Sequence, residues 1–502
     1  MEVDRRSSEK ISRSVDQSAL LATDLLLYSL GMEPLITPAE SNRLDMASDD
    51  PPAMLMARAG LGVALTAVEM GIGYGDRVTV LTGSGNNGGD GYTAAKHLAR
   101  RGVQVSIHAF GYPRGDGGPA RAASVAARRA GASVTELVGP EESERIDLII
   151  DAVFGVGFRG SLPEAIVPWT RLDVPVLAVD VPSGLDATTG AVENTAFYAD
   201  ASVTFQAAKT GHLLGEGPER VGELFVVDIG LGDPRPELML CEEIDAPRPV
   251  RTRHAHKWSV GSVVVVGGSP GITGAALLTA RSALAAGAGA ATVICPGALQ
   301  PVYATLDPGV MSRGAGSGQR FTPDDVDAVL TEAERYDVLA LGPGLGPVDR
   351  GFVEGLLGRW DGPIVLDADG LNAVDDTAIL SREHDTIITP HSGEFTRLTG
   401  TDPTYRAAEN LATESGVVVL LKGNPTFVTD GDETWAIASG GPELATIGTG
   451  DVLTGMVAAF SAGGLPAGIA ARSAAFHHGT AGARLARSEV VTATGLIAEV
   501  GR

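Results

Sequence analysis

The chain has 502 residues, more than one hydrophobic core usually serves, so its length predicts two or three domains and excludes a small binding module. Hydrophobic residues make up 44% of the sequence and charged residues 20%, which is typical of a folded protein. The 62 acidic residues outnumber the 38 basic ones, and the resulting net charge of −24 repels polyanions, so we expect neither nucleic acid nor a membrane as a partner.

The basic residues are nearly all arginines, and the few lysines are Lys10, Lys96, Lys209, Lys257 and Lys422. Acidic, lysine-poor surfaces are typical of salt-adapted proteins, whose carboxylates keep the chain soluble when salt shortens the range of charge repulsion. A GC-rich genome would explain the lack of lysine but not the excess of acid. The composition therefore favours a halophilic source.

The two cysteines, Cys241 and Cys295, are too few for a disulfide framework or a four-cysteine zinc site. No apolar run approaches the ~20 residues of a membrane span, and we recognise no export signal. We therefore expect the protein in a reducing cytoplasm, where we also expect it to form a homo-oligomer.

In chain order, residues 1–31 predict a disordered extension or a translation start assigned too far upstream, because Met32 opens a run that begins like a domain. From Arg77 onward, short β-branched runs alternate with helical patterns, which predicts a parallel sheet covered on both faces. The proline-rich segment 234–255 lacks periodicity and predicts a linker before a second such series. We expect an α/β protein of two three-layer αβα domains, over 32–233 and 256–502.

The first candidate site begins with the run GSGNNGGDG at Gly83–Gly91, which follows one predicted strand and precedes a helix. Glycines let the backbone approach a ligand, and a helix N-terminus attracts anions. Asp151 and Asp180 end later strands of the same series, and such ends converge on one crevice in a parallel sheet. The pattern predicts one shared site, although each aspartate could instead cap a turn.

The motifs NNGGDG, DAVFGVGFRG and VDVPSGLD, in this order, resemble the Rossmann-like epimerase domain of NAD(P)H-hydrate repair proteins over 32–233. The resemblance implies inversion at C6 of the hydrated nicotinamide ring, with Asp180 as the general acid/base. Lys209 either contacts a substrate phosphate or is solvated. The family further implies potassium held by Asn87, Asp151 and Ser183, and substrate contacts at Asn86, Asn87, Gly88, Gly89, Asp90, Gly155, Val156, Gly157, Phe158, Arg159, Gly160, Ser161 and Asp180.

The second candidate site lies in TIGTGDVLTG, which places two glycines and Asp451 at the start of an apolar helix. The backbone N–H groups of residues 448–450 would cradle a transferring phosphoryl group, and Asp451 could take the proton of an attacking hydroxyl. A simple helix cap is the alternative for Asp451. The arrangement resembles the ribokinase-like family.

Further motifs narrow this resemblance, because GGSPGITGAALL, LGPGLG, LDADGLN, ITPHSGEF and LKGNPT precede GTGDVLTG in order. Together they resemble the ADP- or ATP-dependent NAD(P)H-hydrate dehydratases over 256–502. The resemblance implies that Asp451 activates the C6 hydroxyl for phosphorylation and that the ring nitrogen then expels it, with Mg²⁺ and ADP or ATP required. The implied hydrate contacts are Ala275, Gly344, His391 and Asp451, and the implied nucleotide contacts are Lys422, Gly423, Asn424, Pro425, Thr426 and Gly450.

The two halves together predict a bifunctional repair enzyme. The first domain would equilibrate the R and S epimers of NADHX and NADPHX, and the second would dehydrate the S epimer to NADH or NADPH. The alternative is a kinase of a vitamin-precursor alcohol, with the first domain as a scaffold. The runs PHSGE and GPGLG are typical of the dehydratases and favour the first hypothesis.

Overall fold

The computed structural model describes residues 33–113, 118–140, 145–251, 253–254 and 256–502, so the predicted extension at 1–31 lies outside the described residues. Its strands are β1 (Glu33–Ile36), β2 (Arg77–Thr82), β3 (Gln104–Ala109), β4 (Ser133–Glu136), β5 (Leu148–Ala152), β6 (Val176–Val179), β7 (Ala201–Phe205), β8 (Ala208–Lys209), β9 (Glu223–Val227), β10 (Leu238–Leu240), β11 (Ser262–Val266), β12 (Ala290–Pro296), β13 (Met311–Ala315), β14 (Val338–Leu341), β15 (Ile364–Leu366), β16 (Thr386–Ile388), β17 (Val418–Leu421), β18 (Thr426–Thr429) and β19 (Thr434–Ile437).

The α-helices among these residues differ widely in length, from single turns to 20 residues in the second-last one. They are α1 (Pro38–Ala47), α2 (Pro52–Glu69), α3 (Asn86–Arg100), α4 (Pro119–Arg129), α5 (Thr210–Leu213), α6 (Gly217–Arg220), α7 (Thr273–Ala285), α8 (Gln300–Leu306), α9 (Val326–Ala333), α10 (Arg350–Arg359), α11 (Ala368–Asn372), α12 (Ser392–Thr399), α13 (Tyr405–Ser415), α14 (Thr449–Ala462), α15 (Ala467–Ala486) and α16 (Ala493–Val500).

The first sheet has seven strands, all parallel, in the order β4-β3-β2-β5-β6-β7-β9. Its central strands are buried on both faces, which explains their continuous apolar runs. The strand order reverses between β2 and β5, and ligands bind beside the carboxyl ends of the strands at such a point. The loop at 83–85, the first turns of α3 and the end of β5 flank this position, so most of the run Gly83–Gly91 is helical rather than preceding the helix.

Long helices cover only one face of the first sheet. Val78 and Val80 of β2 pack into a cluster with residues of α2, α3 and α4. On the other face, Leu81 packs against Ile166 and Trp169, which lie in and beside the 3₁₀-helix Val167–Arg171, and against irregular segments. The layer on that side therefore consists of a 3₁₀-helix and irregular segments, and the long α-helices lie on the other face.

The second sheet is parallel from β13 through β12, β11, β14, β15, β16 and β17, and then continues through the antiparallel strands β18 and β19. Its faces separate by residue parity. Val263 and Val265 face α7, α14, α15 and α16, whereas Val264 and Val266 face α9, α10, α12 and α13. The order reverses between β11 and β14, so this sheet also has a switch point.

Strands from the first half and from the predicted linker extend the second sheet. Strand β10 pairs with β19, β1 pairs with β10, and the two-residue β8 pairs with β1 at the far edge. Segment 234–255, predicted as a linker, thus contains a hydrogen-bonded strand as well as connecting the halves. Leu35 and Leu238 are buried in the same cluster as the second domain's core.

The predicted α/β class is confirmed by these two largely parallel sheets with their helical layers. In the part of the chain that the structure describes, no helix combines the length and the apolar character needed to cross a membrane.

Candidate active sites

The first site is a cavity of about 660 Å³ at the switch point of the first sheet. It is lined by many of the predicted substrate contacts, namely Asn86, Asn87, Asp90, Gly155, Val156, Gly157, Phe158, Arg159, Ser161 and Asp180. Gly88 and Gly89 instead serve packing, since a Cβ on Gly88 would lie 2.0 Å from the Gly83 carbonyl oxygen and one on Gly89 would lie 2.4 Å from Met56. Gly160 forms a left-handed turn with φ of 87°.

Asp180 follows β6 and turns its carboxylate into this cavity. Its φ of 67° lies in the left-handed region, which is strained for most residues and tolerated by Asp. Oδ1 accepts a 3.0 Å hydrogen bond from Thr204, and Oδ2 accepts one of 3.1 Å from the Val156 N–H. The carboxylate is therefore held in one orientation from two sides.

Lys209 is the ion-pair partner of Asp180. Its Nζ lies 2.9 Å from Asp180 Oδ1, and it also donates to Thr204 Oγ1 at 2.7 Å. Burial opposes ionisation of Asp180, but the Lys209 charge and the hydrogen bonds from Lys209 and Thr204 together outweigh it and hold the pKa of Asp180 below its usual value. The prediction of a solvated Lys209 is wrong, because its side chain is 1% exposed. The sequence could not show that β8 turns this lysine inward.

His212 forms hydrogen bonds with the backbone of both members of this ion pair. The Lys209 N–H donates to His212 Nδ1 at 3.2 Å, so the proton of the neutral ring is on Nε2. Nε2 then donates to the Asp180 carbonyl oxygen at 2.9 Å. Burial lowers the pKa of His212 to about 4, which keeps the ring neutral.

Asp90 presents a second carboxyl group to the cavity and differs from Asp180 in its surroundings. It is 7% exposed, and burial raises its pKa well above the usual value, with the charges of Asp180 and Asp45 acting in the same direction. The pKa values of these two aspartates are therefore shifted in opposite directions, an arrangement that separates a base from an acid.

The predicted potassium ligands lie together beside the cavity. Asp151 is fully buried and accepts hydrogen bonds from the Ser183 hydroxyl at 2.7 Å and the Ser183 N–H at 2.7 Å. Asn87 Nδ2 donates to the Phe154 carbonyl oxygen, which also lies 3.3 Å from Ser183 Oγ. Burial raises the pKa of Asp151 to about 6. The group combines one carboxylate with neutral oxygens, a donor set that suits a hard monovalent cation.

Gly155 allows the loop after β5 to close on these groups. A Cβ at this position would lie 2.9 Å from Asp180 Oδ2 and 3.2 Å from Asn87 Oδ1. Any larger residue would therefore displace the carboxylate or the amide.

The second site is built around the N-terminus of α14, as predicted. Gly448 takes a left-handed φ of 89° just before the helix, whose first-turn N–H groups have no partners within the helix. The Thr449 N–H donates to the Thr446 carbonyl oxygen at 3.3 Å, so the Gly450 N–H is the one of this pair that remains for a ligand. Asp451 lies in the same turn and makes no side-chain cap hydrogen bond. Asp451 is therefore not the simple helix cap of the alternative hypothesis.

Burial raises the pKa of Asp451 to about 7, with the Asp367 charge adding to the effect, the Lys422 charge opposing it and Asp369 contributing less. His478, on α15, lies behind this turn and bonds to the Thr449 carbonyl oxygen at 2.9 Å. Burial lowers the pKa of His478 to about 4, so it adds no positive charge near neutral pH. Asp451 is thus poised between its charged and neutral forms.

Lys422, predicted as a nucleotide contact, follows β17 and points toward α14. Its Nζ lies 2.8 Å from Asp367 Oδ1 and 3.9 Å from Glu394 Oε2. It also lies 3.7 Å from where a Cβ of Gly450 would stand, next to the phosphoryl cradle. The lysine side chain keeps 21% exposure, so an anion can reach it from solvent.

His391 caps α12 through its ring. Its Nδ1 accepts hydrogen bonds from the N–H groups of Gly393 and Glu394, and the Glu394 carboxylate accepts one from the His391 N–H. The ring proton is therefore on Nε2, and with the side chain 59% exposed this N–H is accessible to a ligand. A β-bridge joins His391 to Lys422, which brings the predicted hydrate contact beside the nucleotide contact.

The remaining predicted contacts surround the same place. A Cβ on Gly344 would lie 3.1 Å from Ala275 Cβ, so these two hydrate contacts are neighbours. Residues 423–426 form the turn after Lys422, in which Thr426 Oγ1 donates to the Gly423 carbonyl oxygen at 3.0 Å and the Asn424–Pro425 peptide is cis.

Several groups were not predicted. In the first site they are Thr204 and His212, and in the second Asp367, Asp369, Glu394 and Thr454. Asp367 carried a usable signal, since it directly follows β15 in LDADG just as Asp180 follows β6. Thr204 and Thr454 lie within elements and had none.

Comparisons with known proteins give each half a match. A family profile described as the YjeF-related protein N-terminus matches residues 52–211, and one described as NAD(P)H-hydrate dehydratase matches residues 263–500. The chain is similar to the bifunctional NAD(P)H-hydrate repair enzyme of Moorella thermoacetica, with 36% identity over 491 residues, covering 90% of this chain and 92% of the relative. The enzyme of the same description from Salinibacter ruber is 36% identical over 489 residues, covering 86% and 88%.

Among solved structures, the chain is similar to the ADP/ATP-dependent NAD(P)H-hydrate dehydratase from Bacillus subtilis co-crystallised with ATP/Mg²⁺. The identity is 26%, the match covers 51% of this chain and 93% of that one, and the TM-score is 0.43. The sheets and their switch points define an α/β protein with two sites. The two profiles and the full-length relatives go further: the chain belongs to the family of bifunctional NAD(P)H-hydrate repair enzymes.

Proposed function

We propose that this protein repairs hydrated nicotinamide dinucleotides at two separate sites. The first site epimerises R and S NADHX and NADPHX, and the second dehydrates the S epimer to NADH or NADPH at the expense of ADP or ATP. The observation that carries this proposal is the match over both halves, because relatives described as bifunctional NAD(P)H-hydrate repair enzymes align with 90% and 86% of the chain, and each family match covers one strand-end cluster. A dehydratase specific for one epimer would otherwise leave the other unrepaired.

In the proposed epimerisation, Asp180 acts as the general acid/base. The C6 hydroxyl takes up a proton and leaves as water while the lone pair of the ring nitrogen forms a C=N⁺ bond. Water then adds to C6 from the opposite face and releases one proton, so that the proton taken up is returned. The ion pair between Asp180 and Lys209 keeps Asp180 ionised, so that Asp180 can accept the proton of the incoming water. The predicted substrate contacts that line the cavity, at positions 86, 87, 90, 155–159 and 161, would hold the ring and its ribose phosphate.

Potassium is proposed at Asn87, Asp151 and Ser183. The buried Asp151 carboxylate, the Ser183 hydroxyl and the nearby Phe154 carbonyl support this assignment by their chemistry. A bound cation would supply positive charge beside the loop that carries Gly155 and Val156. That charge would also keep Asp151 ionised at neutral pH.

In the proposed dehydration, Asp451 accepts the proton of the C6 hydroxyl as that oxygen attacks the terminal phosphorus of the nucleotide. The N–H groups at the start of α14 and the Lys422 ammonium stabilise the transferring phosphoryl group. The ring nitrogen lone pair then breaks the C6–O bond, phosphate leaves, and loss of a proton from the adjacent carbon restores the dihydropyridine.

The hydrate is proposed to lie against Ala275, Gly344 and His391, and the nucleotide along residues 422–426 with Gly450. Magnesium, when bound, supplies neutralisation of the phosphate charge. It usually keeps several waters and contacts few protein groups, so the site does not need a dedicated cage.

We keep the cytoplasm as the proposed location and a homo-oligomer as the proposed assembly. Cys241 and Cys295 are both buried and unpaired, which agrees with a reducing compartment. Salt adaptation remains a proposal from composition.

The test incubates the full-length protein with a mixture of R and S NADHX, K⁺ and Mg²⁺ at high salt. The NADH absorbance band is followed with ADP, with ATP and with neither nucleotide. We expect nucleotide-dependent conversion of both epimers. Consumption of the S epimer alone would make the first domain a scaffold, and transfer of phosphate to another alcohol without formation of NADH would replace the dehydratase by a kinase.

A further inference from the structure

The aspartate that ends β15, Asp367, has no role in the function proposed above, yet it lies at the centre of the second site. It is 2% exposed and makes two short hydrogen bonds in opposite directions. Oδ1 accepts from Lys422 Nζ at 2.8 Å, and Oδ2 accepts from the Thr454 hydroxyl at 2.6 Å. One carboxylate thus joins the end of β17 to the first turns of α14.

Both ends of this link lie next to reacting groups. Thr454 is one turn beyond Asp451 on the same helix, and its hydroxyl also donates to the Gly450 carbonyl oxygen at 3.1 Å. Lys422 lies beside Gly450 and is the proposed contact of the nucleotide. Asp367 can therefore fix the distance between the proposed base and the proposed phosphoryl-binding cation.

The backbone around Asp367 is constrained as well. Ala368 takes a φ of 49°, in the left-handed region that is uncommon for a residue with a Cβ. Backbone strain of this kind persists only where the surrounding structure enforces it. Ala368 lies between two aspartates whose side chains have different partners. Asp367 bonds to Lys422, whereas Asp369 accepts a 2.8 Å hydrogen bond from the Gly346 N–H.

The charges near Asp451 come from several elements. Asp367 follows β15, Asp369 is on α11, Lys422 follows β17, Glu394 is on α12, and the neutral His478 is on α15. Because Lys422 is paired with Asp367, the negative charge of Asp367 offsets the effect of the Lys422 charge on Asp451. Burial raises the pKa of Asp367, but the Lys422 charge and the hydrogen bonds to Asp367 together outweigh burial and leave that pKa below its usual value, so Asp367 is ionised.

We propose that Asp367 is a positioning residue of the dehydratase reaction: it anchors Lys422 to α14 and neutralises it, so that Asp451 works as a base near neutral pH. This inference rests on the proposed function of the second site. Asp367 itself touches neither the hydrate nor the nucleotide in this role and acts through Lys422, Thr454 and Asp451.

The test is Asp367→Asn in the full-length protein, with three readouts: the pH profile of kcat/KM for nucleotide-dependent dehydration, kcat, and the Kd of ADP by titration calorimetry. We expect kcat at neutral pH to fall at least about tenfold. The acid limb of the profile should move to lower pH by roughly one unit, because Asp451 loses a negative neighbour and faces an unbalanced Lys422. The Kd of ADP should stay the same or decrease, because a buried negative charge beside an anion is removed.

Two matched variants separate this role from a merely structural one. Asp369→Asn removes a carboxylate whose charge also acts on Asp451 but which bonds neither Lys422 nor Thr454, so its acid limb should move less than that of Asp367→Asn. Thr454→Val keeps every charge and breaks one hydrogen bond of Asp367, so kcat should fall while the acid limb stays in place. Thermal melting of all variants confirms folding.

The inference is overturned if the acid limb of Asp367→Asn coincides with that of the parent, or if Asp369→Asn moves it equally. A Kd for ADP that weakens in step with kcat would also overturn it, because that result indicates general damage to the site. If the parent protein forms no NADH with either nucleotide, the proposed function itself fails, and this outcome is distinct from the others.

Discussion

The two sites use similar parts with different connections. Each has an aspartate that follows a parallel strand, a lysine paired with an aspartate and a glycine-rich loop at a switch point of its sheet. In the first site, the lysine pairs with the proposed acid/base, Asp180, at 2.9 Å. In the second, Lys422 pairs with Asp367, and Asp451 is left without a partner of opposite charge.

This difference explains the opposite pKa shifts of the two proposed bases. The pKa of Asp180 is lowered because the charge and hydrogen bond of Lys209, with the Thr204 hydrogen bond, together outweigh burial, whereas burial together with Asp367 raises that of Asp451 to about 7. Each site contains one of the chain's five lysines. The two sites differ in which aspartate that lysine pairs with, and this pairing sets the pKa of the proposed base.

The largest effect is expected from removing either proposed base. Asp451→Asn should lower nucleotide-dependent dehydration by at least about 100-fold and leave epimerisation intact, because the general base is lost at one site only. Asp180→Asn should do the reverse. Epimerisation is followed by the exchange of R and S forms without nucleotide, and dehydration by formation of NADH from the S form. Equal loss of both activities in either variant would contradict separate sites.

A large effect on stability is expected from breaking the buried pair of the first site. Lys209→Met leaves Asp180 buried and without its cation, so we expect the free energy of unfolding to fall by about 3–5 kcal/mol in urea denaturation. The exposed Lys257 provides the control, since Lys257→Met should change it by less than about 0.5 kcal/mol. The double variant Lys209→Met, Asp180→Asn should recover part of the loss. A single variant as stable as the parent would show that the pair contributes nothing net.

Sequence reasoning predicted the elements of both sites but not their connections. The strand-end aspartates and the glycine loops were recognisable because parallel strands bring their carboxyl ends to one edge. The pairing of Lys209 with Asp180 was not, because it depends on β8, a two-residue strand that leaves the first sheet and joins the second beside β1. Local patterns carry no information on such a crossing, nor on the strand β10 within the predicted linker.

The two activities should also differ in their pH dependence. Asp451 accepts a proton only when ionised, so its pKa of about 7 predicts that the rate of dehydration falls as the pH drops below neutrality. Asp180 has a lowered pKa and stays ionised, so epimerisation should be flat between about pH 5.5 and pH 8. Both profiles are measured on one preparation, with spontaneous epimerisation subtracted. An acid limb shared by both activities would indicate a common cause, such as partial unfolding.

The smallest effect concerns the whole surface and not one site. A net charge of −24 destabilises the folded state by self-repulsion, and about 2 M salt reduces the Debye length to a few ångströms. We therefore expect the Tm to rise by several degrees between about 0.1 M and 2 M NaCl. A second series in KCl separates screening from the proposed potassium site, since a bound ion acts at low concentration and is lost in Asp151→Asn, whereas screening is not. A Tm independent of both salts would leave the acid excess without a role in salt adaptation.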